Sequence, residues 1–311
     1  MTPPKSPRLI WFLLGFLPVV ACGIIVGAKA IPAIVPPTFT PVPSPTLAPT
    51  HTPTQVTVPT FTPTAVATPT PIATFPPTVV PDTGWESLQP GLERRTINMF
   101  NDDNHVEQLY LLRIDPLLYR FDVAYDEKAI PLAQWQAETN AMIVVNGGYF
   151  RVEDEKYIPN GLTVVDEQVI GSSFGEFAGM LAVTPYGPEL RWLAQRPYDP
   201  NEILLAALQS FPVLVKPGGE IGFPAEHEDN KHARRTVIAQ DQSGRILLVV
   251  TAKSYFTLHQ LSVYLANSDL DVDIAINLDG GKSSGIILSN PYNDHIPALS
   301  SLPIVITVYA R

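Results

Sequence analysis

Between Ile31 and Thr83 the chain carries 15 prolines and 15 threonines, and from Ile31 to Val80 it has no Asp, Glu, Lys or Arg. This stretch restricts the fold more than any other. Proline lacks the backbone donor that helices and sheet interiors need, and its fixed φ favours polyproline II. The stretch has too little apolar content to offset its chain entropy with a core. Residues 29–83 are therefore predicted to be an extended, disordered stalk. At roughly 3 Å per residue it reaches more than ~100 Å when fully extended. Packed structure belongs to the segments on either side of it.

The N-terminal segment is short. Residues 1–8 hold Lys5 and Arg8, and Leu9 to Ala28 is a run of 20 residues without a charge. That is long enough to cross a bilayer, and the basic flank places the N-terminus in the cytoplasm. Two readings stay open. One is an uncleaved signal anchor at residues 9–28. The other is a lipoprotein in which Val19-Val20-Ala21-Cys22 serves as a loose lipobox and Cys22 is lipidated. Both tether an extracytoplasmic domain to the cell membrane.

The C-terminal segment, residues 84–311, has room for a sizeable core. The whole chain carries −10, and Lys5, Arg8, Lys29 and Asp82 leave the N-terminal part at +2, so this region carries −12. Such a surface repels nucleic acid and anionic lipid, and neither is expected as a partner. Cys22 is the single cysteine, so the region has no disulfide. Val106 to Ile114 and Leu117 to Ala124 read as neighbouring strands. Ala129 to Asn140 reads as a short helix, and Ala141 to Val145 as a buried strand. Hairpins are predicted at 161–170 and at 236–251, the latter turning at Asp241-Gln242-Ser243-Gly244. Thr257 to Ser268 has helical spacing. Further strands are predicted at Asp273 to Leu278, Gly285 to Leu288 and Pro303 to Tyr309. Many strands with few helices argue an α+β single domain built on one mixed multi-stranded sheet system.

Two strands end alike. Ala141 to Val145 runs into Asn146-Gly147-Gly148, and Asp273 to Leu278 runs into Asp279-Gly280-Gly281-Lys282-Ser283-Ser284. Glycines at a strand exit permit close backbone approach, and their N–H groups can face an anion. Asn-Gly and Asp-Gly are also plain turn signals. A helix precedes the second strand, so a parallel pairing that brings the two ends together is predicted. A phosphate-binding loop is excluded, because the position five before Gly281-Lys282 is Ile276 rather than glycine. The run His227 to His232 is a near miss for a zinc helix. Its histidines are five apart, roughly 140° around a helix, and it reads as a solvated loop.

Several of these motifs occur in an order that resembles the phosphodiester glycosidase domain family, which includes the animal uncovering enzyme and bacterial exopolysaccharide-associated members. They are Asn146-Gly147-Gly148-Tyr149-Phe150, Gln209 to Val215, Arg235-Thr236, Asp241 to Gly244, and Asn277-Leu278-Asp279-Gly280-Gly281 with Ser283-Ser284. The resemblance covers roughly residues 100–311. Lys282 stands where a third glycine is usual, and the disulfide-bearing extensions of the animal enzyme are absent.

The resemblance implies cleavage at the sugar C1–O bond of a glycosyl phosphodiester, through an oxocarbenium-like state. Phosphate leaves well, so the needs are cation or N–H contacts to phosphate and a carboxylate near C1. Arg235 and the Gly280 and Gly281 amides suit the first, and Asp279 the second. Asn146 and Asn160 suit sugar hydroxyls. Asp279, Arg235 and Asn146 are thus the expected catalytic residues. Asn160, Gly147, Gly148, Gly280, Gly281, Ser283 and Thr236 are the expected substrate contacts. No cofactor is assigned, and a divalent cation near Asp279 stays open. The expected function is a membrane-anchored extracytoplasmic glycosidase acting on polysaccharide or cell-wall material. The alternative is a cell-surface module that binds sugar phosphate without cleaving it.

Overall fold

The structure is a computed structural model that describes residues 79–311. The apolar run at 9–28 and most of the predicted stalk lie outside the described residues. Among the described residues no helix is long and apolar enough to cross a membrane.

Twenty strands and two α-helices make up the described chain. In order they are β1 (Glu86–Gln89), β2 (Leu92–Asn101), β3 (Asn104–Ile114), β4 (Tyr119–Ile130), α1 (Leu132–Thr139), β5 (Ile143–Asn146), β6 (Phe150–Glu153), β7 (Lys156–Pro159), β8 (Thr163–Val165) and β9 (Gln168–Ile170). Then come β10 (Gly179–Thr184), β11 (Gly187–Trp192), β12 (Ala206–Ser210), β13 (Val213–Lys216), β14 (Glu220–Ile221), β15 (Thr236–Asp241), β16 (Ile246–Thr251), α2 (Leu258–Asn267), β17 (Val272–Asn277), β18 (Ile286–Leu288), β19 (Asp294–Ile296) and β20 (Leu302–Ala310). An eight-stranded sheet has the order β1-β2-β3-β16-β15-β17-β13-β14. Two five-stranded sheets run β11-β10-β12-β8-β9 and β19-β18-β5-β20-β4, and β6 pairs with β7 alone.

The apolar runs are long because the central strands are covered on both faces, and the two-residue period sorts them. In β3, Tyr110, Leu112 and Ile114 enter the core between the sheets, joined by Ile238, Leu248, Ile276, Val145 and Ile306. Leu109 and Leu111 point the other way, toward α2, with Val237, Leu247, Ala275, Leu261 and Leu265. On the far side, α1 packs Leu132 and Trp135 against Val144 and Val305. Helix α2 begins with a capping box in which Thr257 accepts from the Gln260 amide and Gln260 returns the bond.

The sheet system departs from the expectation in two ways. It is several sheets rather than one, and every strand pairing among the described residues is antiparallel rather than mixed. The reason lies in the helices. Each joins two strands of the same direction, α1 joining β4 to β5 and α2 joining β16 to β17. In each case a third strand lies between, antiparallel to both: β20 pairs with β4 and β5, and β15 with β16 and β17. The crossovers are real, but their strands are not neighbours. Likewise β3 and β4 are not partners, since β3 pairs with β2 and β16 while β4 pairs with β20. Residues 129–130 end β4, so α1 starts three residues later than its pattern suggests.

At the start of the described chain, Pro81 accepts from the Asn98 amide at 2.6 Å and Asp82 bonds Arg95 at 2.6 Å. Contacts with β2 thus begin a few residues before Gly84.

Candidate active site

The two glycine-bearing strand ends do meet, though not as parallel neighbours. β5 and β17 belong to different sheets, and their exits touch end to end. The Asp279 amide donates to the Gly147 carbonyl at 3.0 Å. Asn146 clamps the junction, donating from Nδ2 to the Asp279 carbonyl at 2.8 Å. Its Oδ1 accepts from the Thr236 hydroxyl at 2.8 Å and the Gly285 amide at 3.1 Å. Antiparallel pairing of β15 with β17 brings Arg235, just before Thr236, to the same edge.

This geometry divides the predicted residues. Asn146 is 1% exposed and its amide is spent on protein partners, so it has no group left for a sugar hydroxyl. Thr236 is fully buried and held by Asn146. Gly147 and Gly148 are glycines because other backbone passes against them. A Cβ on Gly147 would lie 2.7 Å from Ile304 Cγ2, and one on Gly148 3.1 Å from the Gln209 carbonyl. The amides of Gly280 and Gly281 do not await an anion either. The first donates to Asp279 Oδ1 at 2.9 Å and the second to the Arg234 carbonyl at 2.8 Å, closing the turn. Gly281 has φ +61°, which favours glycine. The Asn160 amide bonds the Tyr149 carbonyl at 2.9 Å, which sets this half-exposed residue beside Tyr149. Lys282 is exposed.

Asp279 and Arg235 are placed differently. Burial pushes the Asp279 carboxyl above the usual carboxylate range, while the Ser283 hydroxyl and the Gly280 amide pull it back only in part. Arg235 is buried, donating to the Lys231 carbonyl at 2.6 Å and the Phe256 carbonyl at 3.3 Å. No carboxylate forms a salt bridge with it among the described residues. Burial pulls its pKa down, and Tyr149, Asp229 and Glu228 oppose that only through space. Arg234 is buried too, with one bond to the Pro297 carbonyl at 3.0 Å and no protein partner for Nε. Buried charge without a counter-ion is costly, and the edge that holds it is suited to an anion.

Tyr149 is the neighbour that Asp279 and Arg235 share. Its hydroxyl is pushed up to about 12, first by burial and then by the Asp279 charge, with Arg235 and a bond from Asn277 acting against them. Asn277 Nδ2 donates to that hydroxyl at 2.7 Å, so the tyrosine's own proton stays available to donate. Tyr149 and Asn277 stand inside the motifs, yet the sequence alone assigns them no role. The signal is their adjacency to the polar residues at each strand end. Of the other acids, Glu228 Oε2 accepts from the His259 amide at 2.9 Å near the start of α2, and Asp229 pairs with Lys231. His227 ends a short 3₁₀ turn and His232 is exposed, as a solvated loop requires. No group of three His, Cys, Asp or Glu residues that could hold a metal occurs among the described residues.

The comparisons agree with this frame. No curated protein matches the chain. Among solved structures, the catalytic domain of zebrafish N-acetylglucosamine-1-phosphodiester alpha-N-acetylglucosaminidase, auto-inhibited by its pro-peptide, superposes with a TM-score of 0.54 at 18% identity. The match covers 73% of this chain and 86% of that one, and it shows a shared fold. A hypothetical protein from Synechocystis gives a TM-score of 0.48 at 12% identity, over 73% of this chain and 63% of that one. The family model for phosphodiester glycosidases matches residues 139–307, which include both strand ends, Tyr149 and Arg235. The chain belongs to the phosphodiester glycosidase family.

Proposed function

We propose that the domain hydrolyses sugar-1-phosphodiester bonds in polysaccharide or cell-wall material, held outside the cytoplasm by a single-pass anchor at residues 9–28. The observation that supports this most is Tyr149, whose hydroxyl is bonded by Asn277 and feels the charges of both Asp279, a carboxyl raised by burial, and Arg235, a buried arginine without a carboxylate partner among the described residues. With Nε and one Nη2 hydrogen donated to Phe256 and Lys231, Arg235 keeps Nη1 and the other Nη2 hydrogen for two phosphate oxygens. The Tyr149 hydroxyl donates to an oxygen of the departing phosphate. Ionised Asp279 acts on the positive charge that develops at C1. Water adds to C1, the C1–O bond breaks, and the products are free sugar and a phosphate monoester. Asn146, Thr236 and the Gly147 carbonyl fix the Asp279 backbone instead of touching substrate.

The test is release of free sugar from a panel of sugar-1-phosphodiesters. Asp279→Asn is expected to lower kcat by about 100-fold or more while product binding stays nearly intact. Arg235→Lys keeps the charge but loses the fork, so phosphate binding and turnover fall together. Near-normal turnover in folded Asp279→Asn would sink the role of Asp279. Binding of sugar phosphate without any release of sugar would leave the non-catalytic module. Protease shaving of intact cells should release the domain, and full protection would contradict the anchor's orientation.

A further inference from the structure

A cavity of about 710 Å³ opens beside Tyr149, and its other walls come from segments far apart in sequence. Phe177 lies before β10, Trp192 ends β11, Phe211 joins β12 to β13, Lys216 ends β13 and Phe223 comes after β14. Three of the aromatic rings run in a row along one side. Tyr149 and Phe211 have centroids 4.6 Å apart, and Phe211 and Phe177 5.6 Å apart. The Lys216 ammonium sits 5.0 Å from the centroid of Trp192. Phe177 is 59% exposed at the rim, a large apolar side chain covered on one side by Phe174 and Phe211 and open on the other.

A glycosyl phosphodiester has three parts, and this cavity, with Tyr149, Glu176, Lys216 and His227 as the few polar groups among aromatic and apolar ones, has too few polar partners for the sugar. A sugar carries a hydroxyl on almost every ring carbon and needs a polar partner for most of them. Phosphate needs the arginine edge. The cavity is within the range of roughly 300–1,000 Å³ that holds drug-sized ligands, and such sites are mainly aromatic with a few polar groups. Tyr149 lines the cavity, its hydroxyl accepts from Asn277 two residues before Asp279, and Gly147, two residues before Tyr149, accepts from the Asp279 amide, so the cavity and the Asp279 strand end share this side chain.

We infer that this cavity is the leaving-group site, and that the substrate's alcohol carries an aromatic or extended apolar group that stacks on Phe177, Phe211 and Trp192. The inference rests on the proposed hydrolysis of sugar phosphodiesters, and its test is binding, which does not require turnover. The phosphate monoester released in the reaction keeps the alcohol, so benzyl phosphate and methyl phosphate serve as probes. Calorimetric titration of the full chain is expected to give benzyl phosphate an affinity about 10-fold or more above methyl phosphate, from the apolar area the ring buries. Phe177→Ala, at an exposed loop residue whose ring packs on Phe174 and Phe211, and Trp192→Ala should each collapse that ratio to within about 3-fold in variants whose Tm shows them folded. Leu117→Ala, an exposed apolar side chain in a turn outside the cavity, should keep the wild-type ratio. Equal affinities for the two probes, or a ratio that survives both cavity variants, would overturn the assignment. If the preference for benzyl phosphate holds and no diester is cleaved, the hydrolytic reading fails and the cavity stands. If diesters are cleaved with no preference among leaving groups, the cavity assignment fails alone.

Discussion

Asn146-Gly147-Gly148 and Asp279-Gly280-Gly281 are near copies in sequence and do opposite work. At the first, the polar side chain turns inward and every group on it is bonded to protein. Its glycines are there because Ile304 and Gln209 leave no space for a Cβ. At the second, the side chain stays half-buried beside Tyr149, with a carboxyl raised by burial, and Gly281 faces open space. The difference comes from placement. β5 ends inside the junction of two sheets, whereas β17 ends at its mouth. One strand end holds the other in position, so the first should carry stability and the second chemistry.

The largest effect expected from breaking this division is at Asn146. Asn146→Ala strands the Thr236 hydroxyl, the Gly285 amide and the Asp279 carbonyl in a buried setting. At ~1–3 kcal/mol for each unsatisfied group, partly relieved by relaxation, the loss should be about 3–5 kcal/mol. For a domain of this size that is a fall in Tm of about 10 °C. Thermal unfolding monitored by circular dichroism measures it. A Tm within a few degrees of wild type would show that the junction does not depend on this side chain.

The glycines sharpen the contrast on a smaller scale. Gly147→Ala drives a methyl group into Ile304, including its carbonyl oxygen at 3.0 Å, and should cost about 2 kcal/mol by overpacking. Gly281→Ala meets nothing, but its left-handed φ should cost about 1 kcal/mol. Urea unfolding of the two variants should therefore rank Gly147→Ala as the less stable. The reverse order would mean that the second turn, and not the first, is the rigid one.

How far the sequence reveals this depends on the range of the interaction. Elements set by local pattern are legible. Short continuous apolar, β-branched runs give β15, β16 and β20, Asp241 to Gly244 give the turn, and Thr257 with Gln260 gives the start of α2. The meeting of strand ends is hidden. Asn146 finds Asp279, Gly285 and Thr236 at sequence separations of 133, 139 and 90 residues, and no periodicity records such contacts. The same holds for the cavity, whose aromatic residues are scattered along the chain and look alone like ordinary core. Whether the Gly280 and Gly281 amides face a ligand or close their own turn also depends on the partner strand, here through the Arg234 carbonyl. A helix before a strand signals a crossover correctly, yet cannot say whether another strand, earlier or later in the chain, slips between, as β15 and β20 do.

The smallest effect has the opposite sign. Because burial raises the Asp279 pKa in the folded state, the native protein binds its proton more tightly than the unfolded chain does. Stability then falls as pH rises from the unfolded value of ~3.9 through the raised folded value, and stays at the lower level above it. Asparagine does not titrate, and its Oδ1 can still accept from the Gly280 amide. Asp279→Asn should therefore match wild type in Tm near pH 4 and exceed it slightly at pH 7, the gap opening between the two. The same ionisation governs turnover in wild type if Asp279 acts as a carboxylate. Activity should fall on the acid side at a pH above that of an ordinary aspartate, while Tm rises over the same interval. A residue that only held the fold together would show both quantities falling together on acidification. An Asp279→Asn protein less stable than wild type at pH 7 would place Asp279 with Asn146, as a second structural clamp.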